Sequence, residues 1–139
     1  MSDSVLEGGC LCGQIRYRAS GDPFGVSHCH CEQCRRYSGA VYATGVAFSA
    51  ENITWLNGEP GIYLSTDICG RSFCQKCGAS IAHHWLDHNN IWLYIGTLDH
   101  PESVTPQEHI FVEEKIPWVK VDDGLPCYDK FPSGGRENR

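Results

Sequence analysis

The sequence predicts a mainly β fold. Three observations point there: short runs that alternate apolar and polar residues, glycine and proline punctuation between them, and few segments with a sustained helical period. In QIRYRA (14–19), Ile15 and Tyr17 alternate with Arg16 and Arg18, as in a strand with one buried face. VYATGVAFSA (41–50) and ITWLNG (53–58) read as the next strands, and Asn57-Gly58 is a turn signal that could close a hairpin with GIYLST (61–66). SIAHHWL (80–86) and IWLYIGTLD (91–99) bracket a polar DHNN turn. Pro101, Pro106, Pro117, Pro126 and Pro132 then mark a tail of extended segments and turns running over the sheet surface. Trp55, Trp85, Trp92 and Trp118 are expected as core anchors, or as an aromatic wall that helps bury a ligand.

The chain has 139 residues, of which 41% are hydrophobic and 20% charged. That balance fits one folded domain over 1–139, with an ordered core over about 5–130 and a frayed tail at 133–139. Seventeen acidic and eleven basic side chains give a formal charge of −6, a field that repels phosphate backbones, so no nucleic-acid partner is expected. The start, MSDSVLEGGC, shows neither a basic nor an apolar leader region, and no window approaches the ~18 apolar residues of a spanning helix. The expectation is a cytoplasmic protein with no membrane partner.

Nine cysteines in such a compartment shift the odds from disulfides towards metal ligation. Cys10 and Cys12 form C-x-C; Cys74 and Cys77 form C-x-x-C followed by glycine. Residues i and i+2 of a strand share a face, and a tight C-x-x-C turn presents two thiolates, so these four can close a tetrahedral structural zinc site. HCHCEQCRR (28–36) packs Cys29, Cys31 and Cys34 into one loop. Three protein ligands with an exchangeable fourth position is the pattern of catalytic zinc; His28, His30 or Cys69 could instead close the site. His30 should point away from the thiols that flank it, which favours a supporting role. Arg35 and Arg36 would compensate the anionic site or hold a substrate carboxylate. His83, His84, His88, His100 and His109 are assigned no role.

In order along the chain, GGCLCGQIRY, HCHCEQCRRYSGA, RSFCQKCGASI, IGTLD and EEKIPWVKVDDGLP resemble the glutathione-dependent formaldehyde-activating family over nearly the whole length. The resemblance implies a β-tent of small antiparallel sheets, two zinc ions per chain on the two cysteine sets above, and glutathione or a related thiol as substrate or co-substrate. It further implies a carbon–sulfur lyase or synthase that joins glutathione and formaldehyde into S-(hydroxymethyl)glutathione. His30 and Tyr37 are the adjacent candidates for proton transfer. Two other classes compete: a thiol- or zinc-binding module without chemistry, and a zinc-supported redox enzyme such as a methionine sulfoxide reductase, which would need Cys69 or Cys127 as a reactive thiol.

Overall fold

A computed structural model describes residues 4–132, and the tail expected to fray, 133–139, lies outside the described residues. The elements in order are β1 (Val5–Gly9), β2 (Arg16–Ser20), β3 (Gly25–Cys29), α1 (Glu32–Ser38), β4 (Ala43–Ser49), β5 (Ile53–Asn57), β6 (Gly61–Leu64), β7 (Cys69–Phe73), β8 (Ser80–Trp85), β9 (Asn90–Tyr94) and β10 (Glu108–Ile110), with four short 3-10 turns. One sheet has the order β1-β2-β5; the other runs β10-β3-β4-β9-β8-β7-β6. Every pairing is antiparallel except β10 on β3. The fold is mainly β, as the sequence predicts. Among the described residues no helix is long and apolar enough to cross a membrane.

The alternation in 14–19 holds: Ile15, Tyr17 and Ala19 are buried while Arg18 is exposed. These side chains meet Val46 and Phe48 of β4, Ile81 of β8 and Leu93 of β9 in one core between the two sheets. Because residues of a strand alternate faces, the other face of the large sheet carries Cys29, Ala43, Arg71, His83, Trp92 and Tyr94. That face is closed over by α1 and by the chain after β10, so β9 is buried at every position.

Four expectations change. Asn57-Gly58 does not close a hairpin: β5 pairs with β2 and β6 with β7, so the turn carries the chain from one sheet to the other. Asn57 Nδ2 donates to the Gln14 carbonyl at 2.9 Å, and Gly58, at φ 69°, sits where a Cβ would lie 2.5 Å from that same oxygen. The loop expected at 28–36 is the end of β3 and a helix. Cys31 caps α1, its sulfur accepting from Cys34 N–H at 3.3 Å; Arg35 and Arg36 lie in the last turn, and Gly39 ends the helix in the left-handed conformation. The proline-rich tail supplies β10, in register with β3 through Glu108 opposite Ser27 and Ile110 opposite Cys29. Trp118 is 71% exposed, because it lies in a turn away from both sheets, and anchors no core.

Candidate metal centres and active site

Cys10 and Cys12 lie where β1 gives way to the turn before β2; Cys74 and Cys77 lie in the turn between β7 and β8. Their four sulfurs are all within 4.8 Å of one another. Cys10 Sγ is 3.7 Å from Cys12 Sγ, which is 3.8 Å from Cys74 Sγ. A tetrahedron with metal–sulfur bonds of ~2.3 Å has edges of about 3.8 Å, so the donor set fits an ion of that size. Backbone donors complete the setting: Ile15 N–H points at Cys10 Sγ (3.2 Å) and Cys77 N–H at Cys74 Sγ (3.4 Å). N–H groups of Ala79 and Cys12 pull the Cys77 thiol down to about 6. This cluster ties the edge of the small sheet to the large one.

Cys29, Cys31 and Cys34 form a second group within the same 4.8 Å limit. Its chain geometry repeats that of the first: in both C-x-x-C segments the N–H of the second cysteine points at the sulfur of the first. Cys69 is buried and lines the adjoining cavity, yet its sulfur is not in the group; His28 and His30 are not in it either.

The three thiols face a cavity of about 310 Å³. Trp85 and Trp92 form its floor with Tyr94 and His83, Phe111 and Phe131 close it from the tail side, and Glu32, Gln33 and Glu114 stand among its polar lining. Phe111 has φ 56°, a left-handed conformation uncommon for a side chain of that size, and its ring meets Phe131 edge-on at 4.9 Å. The turn brings Glu114 back to accept from Glu32 N–H, the first residue of α1, at 2.8 Å.

Sequence reasoning missed the one arginine or lysine on this lining among the described residues. Arg71, 5% exposed, donates from Nη1 to Tyr94 Oη at 3.0 Å and to Cys34 Sγ at 3.4 Å, and from Nη2 to Gln33 Oε1 at 3.3 Å. Thiols of Cys29 and Cys31 donating to Cys34, with His83 and Arg71 close by, hold Cys34 well below the usual thiol value. Hydrogen bonds with Cys31 and Cys34, together with burial, push Cys29 well above it. Burial pulls His83 down to about 4, and burial raises the Tyr94 hydroxyl well above its usual range. The signal available was an arginine inside an apolar strand, two residues after Cys69 and three before Cys74.

Arg35 and Arg36 do not line the cavity. Arg36 pairs with Glu32 at 2.7 Å and is 72% exposed, being one turn along the outer face of α1. Tyr37 does not reach the cavity either: its hydroxyl lies against the Ser72 and Ala82 carbonyls and accepts from Ile81 N–H at 3.0 Å, which joins α1 to β7 and β8. His30 points away from the thiols, as strand alternation requires, and its Nε2 is 2.9 Å from His109 Nδ1. Trp85 and Trp92 belong to the cavity wall, while Trp55 packs edge-on against Tyr17 in the core.

The family described as glutathione-dependent formaldehyde-activating enzyme matches residues 5–114, a span that holds both cysteine clusters and Arg71. A protein of Halomonas elongata, provisionally named for that same activity, is 25% identical over 143 aligned residues that cover 92% of this chain and 89% of the relative. An uncharacterised lyase of Schizosaccharomyces pombe is 29% identical over 130, covering 88% of this chain and 83% of the relative. A crystal structure of a Rhodobacter sphaeroides protein superposes with a TM-score of 0.58 at 18% identity, over 88% of this chain and 98% of that one, and shows the same fold. Since the family match spans most of the chain and contains every clustered thiol, the chain belongs to the glutathione-dependent formaldehyde-activating enzyme family.

Proposed function

We propose that this protein is a zinc-dependent carbon–sulfur lyase or synthase that makes and breaks an adduct between a thiol, glutathione or a close relative, and a small aldehyde such as formaldehyde. The observation that carries the reading is the group of Cys29, Cys31 and Cys34 opening onto an aromatic cavity with one buried cation, Arg71. Cys10, Cys12, Cys74 and Cys77 would hold a structural zinc ion, and Cys29, Cys31 and Cys34 a second one. With three sulfurs as its protein ligands, that second ion would take a substrate thiol as thiolate at neutral pH and stabilise it as nucleophile or leaving group.

The residues divide the remaining work. Trp85, Trp92, Phe111 and Phe131 exclude water and bury the body of the ligand. Glu32 and Glu114 offer carboxylate oxygens to its ammonium or amide N–H groups. Tyr94 Oη, within hydrogen-bond reach of both Arg71 and Cys34, is positioned to give a proton to the aldehyde oxygen as the carbon–sulfur bond forms, and to take it back as the bond breaks. Adding thiol to aldehyde conserves every atom: the sulfur gains the carbon and the oxygen gains the thiol's proton.

Exchange spectroscopy with isotope-labelled formaldehyde and glutathione at equilibrium tests the reading. The protein should accelerate interconversion of free and adduct carbon without moving the equilibrium, and Cys31→Ser should abolish the acceleration. Unchanged exchange rates in the metal-replete protein would refute it.

A further inference from the structure

Alternation in HCHC sends Cys29 and Cys31 to the cavity and leaves His28 and His30 on the opposite side of the strand. β10 lies parallel to β3 with His109 opposite His28, and the two imidazoles are 4.6 Å apart, centroid to centroid. The segment after β10 then brings Asp123 to His109, with Oδ2 2.8 Å from Nε2. One nitrogen of each imidazole and a carboxylate oxygen of Asp123 lie within 4.8 Å of one another. Ligand atoms on a four-coordinate ion with bonds of ~2.0–2.1 Å sit about 3.3 Å apart, so small side-chain rotations close the set.

The outer partners are those of a metal site. A ligating histidine usually has its second ring nitrogen held by another group, which fixes the ring and frees the first nitrogen. Here Thr44 Oγ1 lies 2.7 Å from His28 Nδ1, and His30 Nε2 lies 2.9 Å from His109 Nδ1, which leaves Nε2 of each ring as the donor for an ion, that of His109 being now paired with Asp123 in a contact the ion would replace. The carboxylate is oriented as well, with Asp123 Oδ1 accepting from Leu125 N–H at 3.1 Å. His109 is 2% exposed and Asp123 44%, which gives one anchored ligand, one at the surface, and a path for the ion and its water.

We propose that His28, His109 and Asp123 form a further metal site, for a divalent cation of the zinc, cobalt and nickel class, on the face of β3 opposite the thiols. Two imidazoles and one carboxylate suit such borderline ions, whereas the thiol clusters favour softer coordination. Occupancy would fasten the segment around Asp123 to β3 and β10, and so steady the tail whose Phe111 and Phe131 cover the cavity.

The test starts from protein whose cysteine clusters are filled with zinc and from which free metal has been removed, then titrates cobalt ion. About one further equivalent should bind with ligand-field bands but no sulfur-to-metal charge-transfer band, the signature of nitrogen and oxygen ligands. Asp123→Asn and His28→Gln, both at accessible positions, should each weaken that binding about tenfold or more, while Cys127→Ser leaves it unchanged. His109→Gln alters a buried ring and is interpreted only alongside these two. No cobalt uptake beyond the zinc would show a hydrogen-bonded Asp123–His109–His30 relay only and overturn the proposal. Uptake with a thiolate charge-transfer band, or uptake indifferent to Asp123→Asn and His28→Gln, would overturn it too.

Discussion

Replacing Arg71 with methionine should empty the three-cysteine cluster and spare the four-cysteine one. Methionine keeps much of the side chain's volume, so the change removes charge and four hydrogen-bond contacts: 3.0 Å to Tyr94, 3.4 Å to Cys34, 3.3 Å to Gln33 and 3.5 Å to Ser65. The bond to a sulfur held as thiolate is charge-assisted and contributes ~1.5–3 kcal/mol. Removing one partner of a buried pair costs ~3–5 kcal/mol, because the other is left without compensation. At about 1.4 kcal/mol per tenfold, metal affinity at Cys29, Cys31 and Cys34 should fall by roughly a hundred- to a thousandfold. Arg71→Lys should fall between, since it retains the charge but not the planar fork. Competition with a graded series of chelators, followed by metal content per chain, reads the two clusters separately. Equal affinity in wild type and Arg71→Met, or equal weakening of both clusters, would refute the assignment of Arg71 as the counter-charge. Alanine at Arg35 and Arg36 should leave both affinities unchanged.

Cys77→Ser should lower the melting temperature sharply, because structural zinc binding amounts to ~10 kcal/mol or more of folding free energy, whereas Cys31→Ser should stay folded; identical melting of the two variants would contradict the division. Tyr94→Phe should reduce the exchange rate by a factor of about 10²–10⁴ without loss of thiol binding, measured by calorimetry beside exchange spectroscopy; an unaltered rate removes Tyr94 from proton transfer. Stability should fall as pH drops from ~6.5 towards 4, since burial holds His83 neutral to about 4 while the unfolded chain binds that proton near ~6.5. A depressed folded value means this contribution is complete above ~6.5 and lost on acidification, worth ~3 kcal/mol, so His83→Gln should make the urea-midpoint profile shallower in that window, the slope that remains coming from His30, which burial also pulls down to about 4; parallel profiles would exclude His83 as a cause.

What could be read from the sequence were features whose partners are near in the chain or whose chemistry is unambiguous. The alternation of Ile15, Tyr17 and Ala19 names its own buried face, and the DHNN turn does join β8 to β9, with Asn89 in the left-handed conformation. Cysteine spacing divides seven thiols into four and three because C-x-C and C-x-x-C each fix a local pair, and few arrangements of such pairs can share an ion. What could not be read depends on distant pairing. At seven residues α1 is too short to show a helical period, and three-residue β10 becomes a strand only because β3, some eighty positions earlier, offers an open edge. Asn57-Gly58 carries a hairpin signal, but the hairpin loses to a better partner for each flanking strand. Arg71 and Asp123 lie within quoted motifs but nothing in those motifs names their partners, and His109 lies in none; only the fold brings Arg71 to Cys34 and His109 and Asp123 to His28.

The two clusters answer one electrostatic problem differently, and burial decides how. Four thiolates around a divalent ion would keep two negative charges, but Cys12 is exposed, Leu11 beside it is 90% exposed, and water would disperse that charge with help from the Ile15 and Cys77 N–H groups. Three thiolates around such an ion would keep one negative charge in a place where Cys29 and Cys34 are buried and the walls are aromatic. An uncompensated charge there would cost several kcal/mol, which only a cation on the same face can offset. Strand alternation puts Arg71 on that face while Arg36 lies on the outside of α1, so the compensating residue comes from the sheet rather than from the helix that follows the thiols. An anionic ligand on such an ion would add a negative charge beyond the one that Arg71 balances.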